Sequence, residues 1–464
     1  MRRIILIANR LPVSLSVRAN RISYRDSVGG VAIGLSSVAH HFNTLWIGAV
    51  NLPREDVEEH RMSVERELGE RYNCSPVFLS REEIEGHYNG FSNSILWPLF
   101  HSLPVSREFP GCWWEQYMAV NRRFLDKVVE VLEPHDVVWV NDYHLLLLPG
   151  MLRREVGRHK IGFFLHVPFP ESHIFERTPV GDDLLEGILG SDQVGVYTQT
   201  SKRCLAACVA NYRKRRGGTR SFEREQTPEA RVGVFQIGVD PARIEELLDR
   251  EHVRHLIQTL RNKFDGKKVI LSADRLDYTK GIPQKLRAYE MFLESHAEFK
   301  GRVQLVLIVG PSRMGLKLYD QLNQEVSLLA RSINEKFGTA FWEPVYFINR
   351  VLPYEELLAF YGVADVALVT PLVDGMNLMA KEYLYVRGGE GGALILSKKA
   401  GAADELPQAY QVDPNNSEEI VSALKECLTV SSSQLTCRNA PMLEHLGEQT
   451  VVKWARDFVT RLDG

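Results

Sequence analysis

The sequence predicts an α/β protein in which two doubly wound parallel sheets form separate domains. Short runs of β-branched residues recur along the chain, and helix-like amphipathic stretches separate them, which is typical of parallel sheets. The chain has 464 residues, of which 44% are hydrophobic and 25% are charged. Because this length exceeds what one compact core accommodates, we expect two domains of ordinary size.

The predicted strands divide into one set in each half of the chain. In the first half they are residues 4–8, 137–140, 161–165 and 193–197. In the second half they are residues 268–273, 304–309, 366–370 and 393–397. The amphipathic stretches between them include residues 112–133, 282–296 and 319–336.

Gly238 and Pro241 mark the predicted boundary between the two domains. This boundary gives an N-terminal domain over residues 1–238 and a C-terminal domain over residues 239–447. A last helix, at about residues 448–464, is a candidate to pack back on the first domain.

Composition argues against several classes of function. The net charge of −3 argues against a general nucleic-acid or membrane-surface role. No apolar run approaches the roughly 18 residues that a membrane span requires. The six cysteines contain no C-x-x-C pair, which favours a reduced, cytoplasmic protein without a structural metal. We expect neither a metal nor a cofactor.

Polar and charged residues follow the predicted strands at their carboxyl ends, in both halves of the chain. They are Arg10, Asn141, Asp142, His166, Arg275, Lys280, Ser312, Arg313 and Asp374. Open parallel sheets bind ligands outside the carboxyl ends of their strands. The pattern therefore predicts a cleft between two facing sheets.

The predicted cleft is cationic, which favours a phosphorylated ligand because arginine suits bidentate binding of phosphate. Its fixed cations are Arg10, Arg275, Lys280 and Arg313. Gly29 and Gly30 precede a helix of small residues, whose first N–H groups are candidates to approach a phosphate. The spacing is not G-x-G-x-x-G, so no nicotinamide or flavin site is indicated. A packing role for the glycine pair stays open.

Each candidate residue also has a simpler interpretation. Arg275 could be a surface charge, His166 a hydrogen-bonded core histidine, and Asp142 a cap of the following helix. The aromatic residues that stand out are Trp46, Tyr88 and Trp97. Singly, each aromatic residue reads as part of the core. Together with the carboxylates they favour a sugar site, where aromatic faces and carboxylates commonly line the pocket.

Longer motifs contain most of these residues. In the first half they are Ala-Asn-Arg-Leu-Pro at 8–12, Tyr-Asn-Gly-Phe-Ser-Asn at 88–93 with Leu-Trp-Pro at 96–98, Asp-Tyr-His-Leu-Leu at 142–146, and Phe-Leu-His-Val-Pro-Phe-Pro at 164–170. In the second half they are Arg-Leu-Asp-Tyr-Thr-Lys-Gly at 275–281 and Asp-Gly-Met-Asn-Leu at 374–378. In content and order these motifs resemble the trehalose-6-phosphate synthase family, over roughly residues 4–425.

The resemblance implies the GT-B architecture of retaining glycosyltransferases, in which two Rossmann-like domains face each other across a cleft. It implies no metal, an acceptor site mainly on the first domain and a donor site mainly on the second. It assigns the donor diphosphate to Arg275 and Lys280, and the transferred glucose to His166 and Asp374. It assigns the ribose of the nucleotide to Glu382.

Further donor contacts are expected from backbone groups. They are Gly29 and Gly30, the glycine pair before the helix of small residues, and Gly375, Met376, Asn377 and Leu378, which the resemblance implies. The last four are expected to open a helix whose N–H groups face the diphosphate. Asp374 and Glu382, eight residues apart, are then expected about two turns from each other at the start of that helix.

The acceptor side follows from the same resemblance. Residues implied to hold the acceptor's phosphate and ring, or to lie beside them, are Arg10, Trp46, Tyr88, Trp97, Asp142 and Arg313. Residues implied to act in catalysis are Asp142, His166, Arg275 and Lys280. Two positions depart from the family pattern. Ala49 stands where the family commonly has a second tryptophan, and Asn141 stands where it usually has histidine.

We therefore expect transfer of glucose from a nucleotide-glucose, first of all UDP-glucose, to glucose 6-phosphate, giving trehalose 6-phosphate with retention of configuration. The alternative is a related synthase that uses glycerol 3-phosphate or a cyclitol phosphate. A nucleotide-sugar epimerase and a non-catalytic sensor of sugar phosphate are the remaining alternatives. The expected partners are the two sugar substrates, without nucleic acid or membrane, and self-association stays open.

Overall fold

The computed structural model describes most of the chain. The described residues are 2–18, 21–26, 30–105, 108–216, 231–313 and 315–463, with the backbone alone at 30–33. The chain divides into two compact units, one of Met1–Ile237 with Val451–Gly464 and one of Gly238–Thr450. Each unit contains its own parallel sheet, which confirms the predicted fold class.

The first unit is built on a seven-stranded sheet in the order β5-β4-β1-β6-β7-β8-β9. The strands are β1 (Ile4–Arg10), β2 (Val13–Arg18), β3 (Arg21–Asp26), β4 (Thr44–Ala49), β5 (Cys74–Val77), β6 (Val137–Asn141), β7 (Lys160–Phe164), β8 (Gln193–Val196) and β9 (Val232–Val234). All pairings within the sheet are parallel, and β2 and β3 form a separate antiparallel hairpin. The chain winds outward in both directions from β1, so β1 marks the switch point of this sheet.

Helices follow the strands of the first unit. They are α1 (Gly30–His41), α2 (Arg54–Val57), α3 (Arg61–Tyr72), α4 (Arg81–Glu83), α5 (Trp97–Phe100), α6 (Gly111–Val131), α7 (Leu148–Val156), α8 (Ser172–Phe175), α9 (Gly181–Leu189) and α10 (Gln199–Arg215). A π-helix, Ile84–Leu96, joins α4 to α5. Such i→i+5 segments are rare and are frequently found at functional sites.

The second unit repeats the plan with a six-stranded sheet in the order β12-β11-β10-β13-β14-β15. Its strands are β10 (Lys268–Arg275), β11 (Val303–Gly310), β12 (Val345–Ile348), β13 (Val366–Val369), β14 (Ala393–Ser397) and β15 (Tyr410–Val412). Its helices are α11 (Pro241–Asp249), α12 (Glu251–Lys263), α13 (Ile282–Ser295), α14 (Lys317–Phe337), α15 (Tyr354–Val363), α16 (Leu378–Arg387), α17 (Ser417–Thr429) and α18 (Ser432–Glu448). The switch point lies at β10, between β11 and β13.

Burial on both faces explains why the central strands have continuous apolar sequences. In β10, Val269 and Leu271 join one hydrophobic core, while Ile270 joins the core on the opposite face of the sheet. Successive strand residues point to opposite faces, and helices cover both. Across the described residues, none of the helices combines the length and apolarity needed to span a membrane.

The last helix, α19 (Val451–Asp463), belongs to the first unit. Its Trp454 and Phe458 pack on Trp139 of β6, with ring centroids 5.1 and 4.6 Å apart. Phe164 of β7 meets the Trp454 ring edge-on at 5.1 Å. The helix therefore covers the β6–β7 region of the sheet with fully buried aromatic rings.

We expect Trp454→Ala to lower the free energy of unfolding of the first unit by about 3–5 kcal/mol, because it leaves a cavity against Trp139 and Phe164. Chemical denaturation followed by tryptophan fluorescence measures the change. Arg456→Ala, at an exposed position of the same helix, is the control and should change it by no more than about 0.5 kcal/mol. Equal effects of the two changes would contradict this account of α19.

Candidate active site

The loop after β10 is organised by a buried carboxylate, Asp277. Its Oδ1 accepts hydrogen bonds from the backbone N–H and the hydroxyl of Thr279, at 3.0 and 2.9 Å. The loop closes at Gly281, which has φ +62°, and a Cβ there would lie 2.9 Å from the carbonyl oxygen of Thr370. Only glycine fits this conformation and this contact. The loop therefore has one shape, which places Arg275 at its start and Lys280 near its end.

Arg313 completes the environment of Asp277. Its guanidinium donates to Asp277 Oδ2 at 2.5 Å, and the two side chains are 2% and 0% exposed. The Tyr319 hydroxyl donates to the same oxygen at 3.4 Å. Burial alone raises the pKa of Asp277, but the positive charges of Arg313 and Arg275 help to hold it below its ordinary value. Arg313, predicted to bind the acceptor, is here engaged with Asp277; its acceptor role stays a prediction.

Lys280 and Asp374 come together from loops that follow β10 and β13. The Lys280 ammonium lies 2.5 Å from Asp374 Oδ2, and the two side chains are 13% and 12% exposed. Asn377 donates a second hydrogen bond to that carboxylate oxygen at 3.0 Å. The backbone N–H of Asp374 is held by the carbonyl of Lys399 at 3.1 Å. The side chains of two residues predicted to bind neighbouring parts of the donor are thus in direct contact.

The helix predicted to open between Gly375 and Leu378 begins at Leu378. Asn377, with φ 81°, caps it by accepting from the backbone N–H of Ala380 at 3.1 Å. Met376 lies in the preceding turn, where its carbonyl accepts from the backbone N–H of Ala402. Asp374 therefore stands before the helix rather than on it. The predicted helical spacing between Asp374 and Glu382 is wrong, because only Glu382 lies on α16.

Glu382 is buried at 7% exposure on α16. The hydroxyls of Tyr354 and Tyr361, both on α15, donate to its two oxygens at 3.0 and 3.2 Å. Burial raises the pKa of Glu382 to about 7, although both hydrogen bonds favour the ionised form. Sequence reasoning missed the two tyrosines. Their spacing of seven residues on one helix is the signal that could have found them.

In the first unit, Arg10 leads a stack of side chains at the carboxyl end of β1. Its guanidinium lies 4.7 Å from the centroid of the Tyr88 ring, and that ring stacks on His144 with centroids 5.7 Å apart and planes 10° apart. Arg10 is exposed, whereas His144 is buried. The π-helix brings Tyr88 into this stack. His144 was missed as a site residue, although it belongs to the same motif as Asp142.

Trp97 belongs to a buried aromatic cluster beside this stack. It follows the π-helix at the start of α5, is 6% exposed, and packs against Tyr143 with ring centroids 5.7 Å apart. The Tyr143 hydroxyl donates to Asn93 Oδ1 at 3.1 Å. Aromatic packing and one buried hydrogen bond thus fix the turn that carries Asp142 and His144.

Trp46 lies in the core of the first unit, at 2% exposure, on a strand that was not predicted. Its indole N–H donates to the backbone carbonyl of Arg10 at 3.1 Å. Gly48 lies against the same backbone, since a Cβ there would be 2.6 Å from the carbonyl carbon of Arg10. Both residues therefore fix the end of β1. The predicted role of Trp46 beside the acceptor stays a prediction.

Asp142 has a strained backbone, with φ 73° and ψ 168°. A non-glycine residue in this region requires strong local restraint. Its backbone N–H donates to the Phe164 carbonyl at 2.7 Å, and its Oδ1 accepts from the backbone N–H of His166 at 3.3 Å. Its side chain makes no cap hydrogen bond to the 3-10 turn that follows. The helix-cap interpretation of Asp142 is therefore wrong, and its carboxylate joins the ends of β6 and β7.

His166 is buried at 4% exposure. Its Nε2 lies 3.0 Å from Asn141 Oδ1. Its Nδ1 is buried and has no hydrogen-bond partner among the described residues. Burial lowers the pKa of the imidazole to about 3, so the ring is neutral at physiological pH. The ring is thus a core histidine with one nitrogen satisfied and the other available as a polar group.

Of the predicted glycine pair, Gly29 lies outside the described residues, and Gly30 is the first residue of α1. The phosphate role of both stays a prediction. Within the ranges that the structure describes, no group of three or more His, Cys, Asp or Glu side chains could hold a metal ion.

The family model described as Glycosyltransferase family 20 matches residues 2–464. The chain belongs to glycosyltransferase family 20. The predicted family and enzyme class are therefore confirmed.

Curated and solved relatives agree with this assignment. The alpha,alpha-trehalose-phosphate synthase (UDP-forming) of Emericella nidulans is 39% identical over 99% of this chain and 92% of its own length. An E. coli protein solved with UDP-2-fluoro glucose is 30% identical, with a TM-score of 0.84 over 99% of this chain and 98% of that one. A UDP-forming synthase from Burkholderia xenovorans, solved in complex with glucose-6-phosphate, is 29% identical, with a TM-score of 0.85 over 100% of both chains.

The raised pKa of Glu382 predicts a pH dependence of stability in this family 20 enzyme. Between the ordinary value of 4.5 and about 7, the folded chain keeps a proton that the unfolded chain releases. The contribution of Glu382 to stability therefore falls as pH rises through that window. One pKa unit corresponds to about 1.4 kcal/mol. The free energy of unfolding of Glu382→Gln, relative to that of the unchanged chain, should therefore rise by up to about 3 kcal/mol between pH 4.5 and pH 7.5.

Urea titrations at both pH values measure this difference in the free energy of unfolding. Glu444→Gln, which removes an exposed carboxylate from α18, is the control and should show a nearly constant difference. A constant difference for Glu382→Gln as well would show that Glu382 is ionised throughout the window.

Proposed function

We propose that this chain transfers glucose from UDP-glucose to glucose 6-phosphate and forms trehalose 6-phosphate with retention of configuration. One observation carries the proposal: Lys280 and Asp374, 94 residues apart in sequence, meet at the carboxyl edge of the second sheet. A diphosphate needs a fixed cation, and a sugar needs an oxygen acceptor for its hydroxyls. Both groups stand together beside the switch point at β10.

The donor would bind to the second unit. Arg275 and Lys280 would hold the diphosphate, Asp374 the glucose hydroxyls and Glu382 the ribose. Two further observations support this assignment. Asp277 and Gly281 give the cationic loop one shape, and the N-terminus of α16 begins immediately after Asn377, so its N–H groups and dipole favour an anion.

The acceptor would bind to the first unit. Arg10 is an exposed cation held over Tyr88, and its backbone is fixed by Trp46 and Gly48. A guanidinium in this setting suits the phosphate of glucose 6-phosphate. Tyr88 and Trp97 would lie beside the acceptor, as the family resemblance implies.

The chemical step breaks the bond between C1 of glucose and the diphosphate oxygen, and forms a bond between C1 and the acceptor hydroxyl oxygen. The hydroxyl proton passes to a phosphate oxygen of the departing UDP, on the same face of the sugar. Arg275 and Lys280 stabilise the charge that develops on the diphosphate. Asp142 lies near the acceptor hydroxyl, and His166 contacts the transferred glucose; both orient the substrates.

The protein is proposed to act in the cytoplasm. In support, Cys74, Cys204, Cys208 and Cys427 are buried free thiols, and no disulfide forms among the described residues. Reduced thiols are usual in that compartment.

The donor assignment predicts that Arg275→Ala or Lys280→Ala lowers kcat by about 10²-fold or more, because each removes a preorganised charge from the leaving diphosphate. Release of UDP from UDP-glucose in the presence of glucose 6-phosphate measures turnover. Arg261→Ala, which removes an exposed charge from α12, is the matched control and should retain full activity. Near-normal turnover of both site variants would refute the diphosphate role.

The acceptor assignment predicts that Arg10→Ala raises KM for glucose 6-phosphate about tenfold or more, since a hydrogen bond to a charged group contributes roughly 1.5–3 kcal/mol. The preference for glucose 6-phosphate over glucose should narrow by the same factor, and KM for UDP-glucose should change little.

Arg313→Ala tests whether Arg313 also binds the acceptor. A rise in acceptor KM without loss of stability would support an acceptor contact, whereas a lower unfolding temperature with unchanged KM would restrict Arg313 to holding Asp277.

A panel of phosphorylated acceptors tests the identity of the product. Preference for glycerol 3-phosphate or a cyclitol phosphate over glucose 6-phosphate would preserve the phosphate site and overturn the named acceptor. Ala49, at the end of β4 where the family pattern has tryptophan, would then be the first position to change.

A further inference from the structure

Asn141 is the last residue of β6 and is completely buried. Its side-chain nitrogen lies 3.3 Å from the carbonyl oxygen of Ile7 and 3.2 Å from that of Trp139. Only the NH₂ group of the amide can donate to two carbonyls, so the orientation of the amide is fixed. Oδ1 must then be the atom that faces His166.

The orientation of Asn141 determines which nitrogen of His166 carries hydrogen. Oδ1 is only an acceptor, so the 3.0 Å contact requires a hydrogen on Nε2. In a neutral imidazole the other nitrogen is then an acceptor. That nitrogen, Nδ1, is the one that has no partner among the described residues.

We propose that Asn141 is a positioning residue that holds His166 as the Nε2–H tautomer, so that Nδ1 accepts a hydrogen bond from a hydroxyl of the donor's glucose. The proposal rests on the proposed function, in which His166 contacts the transferred sugar. It adds the direction of that hydrogen bond and the residue that sets it.

The surroundings of His166 keep the ring in this state. Phe164 and Trp454 pack against it, with ring centroids 4.7 and 6.2 Å away, and the low pKa caused by burial keeps it neutral. A buried acceptor without a hydrogen-bond donor is costly. A sugar hydroxyl supplies the missing hydrogen, whereas the opposite tautomer would direct an N–H at the sugar and leave Asn141 Oδ1 without its donor.

A purely structural role is the competing explanation, because Asn141 also joins β6 to β1 through the Ile7 carbonyl. Asn439 provides a matched control for that role. It is buried in the second unit, and its side-chain nitrogen likewise donates to two backbone carbonyls, those of Gly388 and Gly392, at 3.0 and 2.8 Å. Asn141→Leu and Asn439→Leu therefore remove similar hydrogen bonds, but only the first removes a contact with His166.

The test combines ¹⁵N spectroscopy of histidine with binding measurements on the full chain. In protein labelled with ¹⁵N-histidine, the signal that disappears in His166→Gln identifies His166. We expect an Nε2–H pattern in the unchanged protein and in Asn439→Leu, and a mixture of tautomers in Asn141→Leu. The spectrum of the unchanged protein decides the tautomer even if Asn141→Leu does not fold.

Calorimetry with UDP-glucose and with UDP separates positioning from general damage. Asn141→Leu should weaken UDP-glucose binding about tenfold, the scale of one buried hydrogen bond lost, and should leave UDP binding unchanged.

An Nδ1–H pattern in the unchanged protein would overturn the proposal. An equal loss of affinity for UDP-glucose and for UDP in Asn141→Leu would overturn it as well. If His166→Gln binds UDP-glucose normally, the assigned contact between His166 and glucose is wrong, and the proposed hydrogen bond is overturned with it. If Arg275→Ala and Lys280→Ala keep near-normal turnover, the proposed diphosphate role is refuted, but the tautomer of His166 is unaffected.

Discussion

The buried carboxylate of Asp277 is the interaction on which the loop after β10 depends. A buried charge is tolerated only when hydrogen bonds and an opposite charge compensate it. Asp277 takes these from Thr279 in its own loop, from Arg313 after β11 and from Tyr319 on α14. Three segments are thereby held to one point. The positions of Arg275 and Lys280, on either side of Asp277 in sequence, follow from this one buried charge.

Strained backbone conformations occur at several of the residues predicted to form the site. Within the described ranges, five non-glycine residues have positive φ, and Asp142, Arg313 and Asn377 are three of them. Such conformations persist only where the surroundings over-determine them. Each of the three has an anchored side chain: on the His166 backbone, on the Asp277 carboxylate and at the start of α16, respectively. Strain and hydrogen bonding therefore act together to fix the backbone, at Asp142 in the first unit and at Arg313 and Asn377 in the second.

The sequence predicted the parts of this fold that depend on local pattern. All eight predicted strands exist, because strands buried on both faces are continuous apolar runs. It missed β4, whose sequence Thr-Leu-Trp-Ile-Gly-Ala is short and poor in β-branched residues, and so placed Trp46 without its strand. The π-helix escaped notice because its spacing matches neither a helix of 3.6 residues per turn nor a strand. Motifs located Glu382 but not its tyrosines, since Tyr354 is 28 residues away and pairs with it only through tertiary packing.

The pairing of Lys280 with Asp374 places a cation and an anion in contact at 13% and 12% exposure. Asn377, which caps α16, donates a second hydrogen bond to the same carboxylate oxygen at 3.0 Å. Under the proposed function, Lys280 would bind the diphosphate and Asp374 the glucose hydroxyls. Because the two side chains are in contact, those two parts of the donor would be recognised side by side. The hydrogen bonds of Asn377 would hold that pair next to the N-terminus of α16, whose N–H groups and dipole favour an anion.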